Sequence, residues 1–337
     1  MHFMVYIYKK TIGSKEYFYL RVSKRVNGKI TIKDVAYLGS SIKEVKKSLE
    51  GLKRFQAEIR KSYKNLSSSL QSGHFLELAR KSKLKSDNYL EKNMLEQVEA
   101  AKLHFNNHFL KTDPATIRET FKHFTIEFAF NSTSIEGNTI TLQEAKRLLT
   151  DQILPANRTL REVYDLQNTE KTFFWLIDEK PAFDEQLIIK VHDLLLDNID
   201  MRKGYRNHDI HVFKSRFDAT PFAYIRTDMR LLIKFYNENH QKMHPLALAL
   251  AIHHKLEKIH PFADGNGRTG RMIMNYILIT KGYPPIVVSK KKRADYLECL
   301  RQADTSDLTR AEPKNYKKLV NHMAEELLES YWANFNI

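Results

Sequence analysis

Within one stretch of twelve residues the chain places an imidazole, His260, a carboxylate, Asp264, and the run Gly265-Asn266-Gly267-Arg268-Thr269-Gly270-Arg271. An imidazole titrating near neutrality can take the proton from an attacking hydroxyl. A carboxylate at a turn can hold a divalent cation that bridges phosphates. Glycines let backbone come close to a ligand, and the first turn of the next helix offers unpaired N–H groups at the positive end of its dipole. Arg268 and Arg271 stand three residues apart on nearly one side of that turn. Cations there oppose the dipole, so an anion is expected to neutralise them. A base, a metal ligand and an anion hole together suit phosphoryl-type transfer, which depends on positioning and charge neutralisation.

Gly265, Gly267 and Gly270 also satisfy Gly-x-Gly-x-x-Gly. A dinucleotide-binding turn of that form needs a strand before it, whereas the preceding text is helical and runs through Pro261. No Gly-x-x-x-x-Gly-Lys-Ser/Thr occurs, which excludes a Walker loop. A helix start that merely follows a glycine-rich turn stays open on these residues alone.

The elements that must position this segment can be read along the chain. Apolar and polar residues alternate over residues 3–39, broken at Gly13-Ser14-Lys15 and Asn27-Gly28, which predicts a small antiparallel sheet. Ser41 to Lys85 is Lys- and Glu-rich at helical period, with a break expected at Ser67–Gly73 that would make a loop and a linker. From about Leu90 nearly every segment reads as helix. Asp113-Pro114 is an N-cap with proline behind it, and Thr141 with Glu144 and Thr159 with Glu162 match the capping box. Further helices are expected near 184–198, 227–241, 245–259, 267–281, 291–303 and 314–333, interrupted at 204–225 by a hairpin-like excursion. The chain divides into residues 1–88, a β-strand plus helix module, and 89–337, a mostly helical body.

Composition sets outer limits. The chain has 337 residues, 42% of them hydrophobic, enough to build a real core. Its longest apolar run, near Leu246–Ile252, is far short of the roughly 20 residues a bilayer needs, so no membrane partner is expected. The N-terminus lacks the pattern of a secretory leader, and the single cysteine, Cys299, excludes an intrachain disulfide and a cysteine-built zinc site; both fit a cytoplasmic location. Fifty-five basic against 40 acidic residues give +15, which suits either a polyanionic partner such as nucleic acid or a soluble basic surface. The cations are read as spread along the chain, with one dense cluster at Lys290–Arg293 taken as a solvated helix start. His253 and His254 lack zinc-site spacing and are read as structural or solvent-facing, and Cys299 as a small core residue.

His260 through Arg271 resembles the complete signature of the Fic family, His-x-Phe-x-Asp/Glu-Gly-Asn-Gly-Arg-x-x-Arg. The resemblance implies a mainly α fold: a helical Fic core, about 184–305, with a β-hairpin flap and a C-terminal helix, here preceded by the small antiparallel β-containing module. It implies ATP and Mg2+, transfer of AMP to a Ser, Thr or Tyr hydroxyl of a protein target and of the enzyme itself, and release of pyrophosphate. Carried over by position, His260 is the general base and Asp264 the metal ligand. Gly265, Asn266, Gly267, Arg268, Gly270 and Arg271 form the nucleotide site. Gly204-Tyr205-Arg206 resembles the lead-in to the flap, with Ile210, Val212 and Phe213 as candidates for the apolar clamp on the target.

Upstream, Glu136 stands one position before Gly137, the natural stop of a helix whose dipole gives a carboxylate there nothing. Ser132, Glu136 and Gly137 resemble the family's inhibitory motif Ser/Thr-x-x-x-Glu-Gly/Asn, which implies an inhibitory helix over about 115–137 whose glutamate pairs, bidentate, with Arg271. The resemblance admits a homodimer, removal of AMP through Glu136, or another nucleotide donor. The basic charge admits a different class, a nucleic-acid-associated regulator with an accessory Fic core.

Overall fold

A computed structural model of the chain describes residues 3–13, 15–26, 29–210 and 219–336. Strands β1 (Phe3–Ile12), β2 (Lys15–Val26) and β3 (Lys29–Gly39) pair antiparallel in the order β1-β2-β3. The alternation seen in the sequence sets the faces. Val5, Phe18, Leu20, Val22 and Leu38 are buried on one side, covered by α1 (Ile42–Gly51), α2 (Gln56–Lys61) and α3 (Tyr63–Lys81). The turn at Asn27-Gly28 lies outside the described residues.

The break expected at Ser67–Gly73 does not occur, because α3 runs straight through it. Leu66 and Leu70 keep the helical period across the serines and pack into the module's core. Gly73 serves proximity: a Cβ there would stand 2.7 Å from Ile42 Cδ1 of α1. The helix then joins the body, where Arg80 bonds Glu96 at 2.9 Å and Gln71 Oε1 lies 3.0 Å from His104 Nε2.

The body is built from α4 (Lys92–Asn107), α5 (Pro114–Ile135), α6 (Leu142–Asp151), α7 (Leu160–Glu179), α8 (Glu185–Leu195), α9 (Ile225–Asn239), α10 (Pro245–Ile259), α11 (Asn266–Thr280), α12 (Arg293–Ala303) and α13 (Pro313–Asn334). The caps fall where the sequence puts them: Asp113 accepts from the Thr116 amide, and the boxes at Thr141/Glu144 and Thr159/Glu162 are both closed. α10 is buried from Leu246 to Leu256 and forms the hub, with α9, α11 and α13 packed on it. A helix apolar on all sides is one surrounded by protein. None of the described helices is long and apolar enough to cross a membrane.

The hairpin-like excursion expected within 204–225 centres on residues 211–218, which, Val212 and Phe213 included, lie outside the described residues; Ile210 is half-buried. Two further readings change. Lys290–Arg293 is docked, not merely solvated: Lys292 pairs with the buried Glu326 at 2.7 Å, and Arg293 Nε donates to Ile135 O at 2.9 Å. A buried carboxylate needs a cation, and a helix end needs donors. The positive charge is also concentrated. Residues 1–88 hold 20 of the 55 Lys and Arg but only 7 of the 40 Asp and Glu, a net +13 against +2 for the remaining 249 residues.

Candidate active site

α10 ends at His260, whose φ of +51° puts a non-glycine residue in the left-handed region while its amide still bonds Leu256 O at 2.9 Å. The conformation turns the chain sharply out of the buried helix and is held from several sides. Arg206, itself buried, donates from Nε to His260 O at 2.9 Å, and its amide bonds Pro261 O at 3.0 Å. Phe262 is fully buried and stacks on His192 with ring centroids 3.8 Å apart. Asn266 closes the loop on itself, its Nδ2 donating to Phe262 O at 2.9 Å and its Oδ1 accepting from the Phe262 amide at 3.0 Å. Gly265 takes φ +77° with Leu196 where a Cβ would be. The loop is thus a rigid frame between α10 and α11.

His260 Nδ1 lies 3.1 Å from Glu257 O. A carbonyl only accepts, so Nδ1 carries the hydrogen and Nε2 is the basic nitrogen. Burial lowers the pKa of the imidazole, and Arg206 adds to that, while the bond to Glu257 O works the other way. The shift favours the neutral ring, the form a general base requires. Beside it Glu257 is pushed up to about 8 by burial, with Glu136 adding and Arg271 opposing.

The two arginines are neutralised by protein carboxylates. Arg268, buried in the first turn of α11, contacts Asp165 of α7 and stands 3.3 Å from Asp264. Arg271 is held by Ser132 and Glu136 at the end of α5: its Nε donates to Ser132 Oγ at 2.9 Å, and its Nη2 donates to Ser132 O at 2.9 Å and to Glu136 Oε1 at 2.8 Å. The expected two-pronged pair with Glu136 is a single bond, because Ser132 takes the other edge of the guanidinium. Glu136 is the C-cap residue of α5, and its Oε1 lies over Gly267 where any Cβ would collide with it. Asp264 is engaged by Arg161 of α7 and by Arg268; burial raises its pKa, but the two cations outweigh that and hold it below the usual carboxylate range.

Residues 182–278 match a family model described as Fic/DOC family. Those residues are a Fic-type domain. Over 234 residues it is 26% identical to Protein adenylyltransferase Fic of Drosophila ananassae, and over 230 residues 27% identical to that of Nematostella vectensis. Each match covers 66% of this chain but only 45% and 52% of those relatives, so the chain spans about half the length of the curated relatives it matches. Two solved structures share the fold. A Fic domain containing signaling protein from Bacteroides thetaiotaomicron superposes with TM-score 0.61 at 24% identity, covering 71% of this chain and 94% of that one. Fic-1 (residues 134–508) from C. elegans superposes with TM-score 0.60 at 20% identity, covering 86% of both chains.

The fold brings His260, Asp264, Gly267, Arg268 and Arg271 of the Fic signature together with Ser132 and Glu136, from 124 or more residues earlier in the chain. Two signature residues point elsewhere. The Asn266 side chain is turned into the loop, and Gly270 lies against His253, where a Cβ would strike the imidazole. His253 and His254 are buried and bonded to Tyr296 and Tyr316, which settles them as structural. Cys299 is buried in the core. Sequence reasoning missed Asp165, Arg161 and Glu257. Arg161 and Asp165 stand at i and i+4 on α7, an opposite-charge pair that on paper reads as an ordinary surface bridge.

Proposed function

We propose that this chain is an autoinhibited adenylyltransferase that moves AMP from ATP onto a Ser, Thr or Tyr hydroxyl of a protein target, and onto itself, releasing pyrophosphate. The observation that carries the reading is the placement of His260 and the start of α11 on one frame, with Glu136 lying over Gly267 and bonded to Arg271. The relatives named Protein adenylyltransferase Fic support the reaction class.

In this reading the acceptor oxygen attacks the α-phosphorus of ATP as its proton passes to Nε2 of His260. The new P–O bond forms while the bond from the α-phosphorus to the bridging oxygen breaks, and pyrophosphate leaves in line. The first backbone N–H groups of α11 have no intrahelical acceptor and meet the phosphates, which is why Gly267 carries no side chain. Arg268 and Arg271 neutralise the leaving charge.

A divalent cation fits the residues present. The Asp264 carboxylate is one-third exposed beside α11, and no cluster of three metal-ligating side chains occurs among the described residues. Mg2+ needs no more, because it takes one or two carboxylates and fills its sphere with phosphate oxygens and water. When bound there it would offset the charge of the phosphates, and Arg161 would release Asp264 to hold it.

Glu136 supports the autoinhibited part. With a protein carboxylate bonded to Arg271 and lying over Gly267, a phosphate oxygen meets like charge where it should meet a cation. The test is mass spectrometry of a cell lysate incubated with ATP and the Glu136→Gly chain. Proteins, this chain among them, should gain the mass of one adenylyl group on hydroxyl residues. A different adduct would overturn the donor, and none at all would overturn the reaction.

A further inference from the structure

The N-terminal sheet has a second face that no helix among the described residues covers. α1, α2 and α3 all pack on the side of Val5, Leu20 and Leu38. Along β1 and β2 the residues that alternate with those buried ones include Tyr6 and Tyr8, and Tyr17 and Tyr19; on β3 the matching positions are Tyr37 and, further along, the exposed Ile32 and Ile30. Tyr8 is paired with Tyr19, and Tyr19 with Tyr37, so the five rings run across all three strands as one patch. Tyr37 is 54% exposed and its ring lies 5.4 Å from that of Tyr19 and 6.5 Å from that of Tyr17. None of the five belongs to a hydrophobic core cluster.

The patch is set in positive charge. Residues 1–40 contain eight Lys and Arg against two acidic residues, Glu16 and Asp34. Both acids are already paired, Glu16 with Lys9 and Arg80 and Asp34 with Arg21 at 2.5 Å. Arg21 also lies over the Tyr8 ring at 3.3 Å, and Lys10 and Arg25 extend the same face past the tyrosines. Aromatic side chains on strands would follow from β-propensity alone. A polar aromatic patch confined to the uncovered face, on a module that holds +13 of the chain's +15, does not.

We infer that the outer face of this sheet docks single-stranded nucleic acid. Tyr37 is exposed and the other four rings are half-buried; bases stack on accessible ring faces whatever their sequence, and a basic surround follows the phosphates. A duplex keeps its bases stacked on each other and offers such a platform only phosphate. An acidic polypeptide meets the charge and leaves the tyrosines idle.

The test is the fluorescence anisotropy of a labelled 20-nucleotide oligothymidylate titrated with the full chain. Binding should saturate at low salt and weaken with a log–log salt slope of about −3, the value for four phosphate contacts on a single strand. Replacing Tyr8, Tyr19 and Tyr37 together by Ala should weaken it at least about tenfold, while the matching Phe variants bind as the unaltered chain does. Lys10→Glu with Arg25→Glu, at exposed positions that carry no fold, should also lose binding. Polyglutamate and a duplex of the same length should compete poorly, and the self-labelling of the Glu136→Gly chain should be unchanged by the sheet variants. No binding at low salt, equal binding by the alanine variant, or displacement by polyglutamate as effective as by the oligonucleotide would each overturn the inference.

Discussion

The base role proposed for His260 rests on placement as much as on residue type. Its left-handed backbone, the Glu257 carbonyl on Nδ1 and the Arg206 contacts fix the ring, and burial lowers its pKa. A base works only unprotonated, so transfer by the released chain should persist below the ordinary histidine range near 6.5. On the acid side it should then fall about tenfold per pH unit. A pH–rate profile checks this, and an acid limb above the ordinary histidine value would contradict the neutral ring. Gly270 makes a separate prediction: Gly270→Ala drives a methyl into His253 and should cost ~1–3 kcal/mol, read as a lower thermal midpoint. At this scale the contiguous residues were legible, because His260 through Arg271 all lie in one loop and one helical turn. Asp165, Arg161 and Glu257 were not, since nothing local distinguishes a carboxylate that will meet Arg268 from one that faces water.

α5 is the element on which the proposed restraint depends. It begins with an Asp cap and Pro114, and its far end presents Ser132 and Glu136 to Arg271 while Arg293 and the Lys290 amide hold the last turn through Ile135 O and Asn131 Oδ1. Ser132→Ala removes one of three bonds to Arg271 and should raise basal self-labelling less than Glu136→Gly does. Arg293→Ala, which touches only the helix end, should also raise it, by a factor of a few, as the last turn loosens. Self-labelling rates of the three variants compared with the unaltered chain decide the order. Helix starts were readable because caps are short-range chemistry. The supposed linker at Ser67–Gly73 was misread because glycine permits close helix contact as readily as a break, and only Ile42, some thirty residues away, tells which.

The whole molecule joins two unlike parts. Residues 1–88, a sheet with an uncovered tyrosine face and the helices behind it, carry nearly all the net charge, and the body that follows is almost neutral and holds the Fic core. Net charge alone did not show this, because a sum over the chain hides where the cations lie. α3 connects the parts through Arg80 and Gln71, so whatever the sheet binds is held beside the helical body. The central claim, an intact site held in check, is tested most directly by incubating three forms with ATP labelled in the α-phosphate. Labelling of the unaltered chain should be weak, raised ~10-fold or more by Glu136→Gly as the Arg271 pair is lost, and should fall by ~10²–10⁴ when His260→Ala is added, with nucleotide still bound. Equal labelling of the unaltered and Glu136→Gly chains, or transfer that survives the loss of His260, would contradict it.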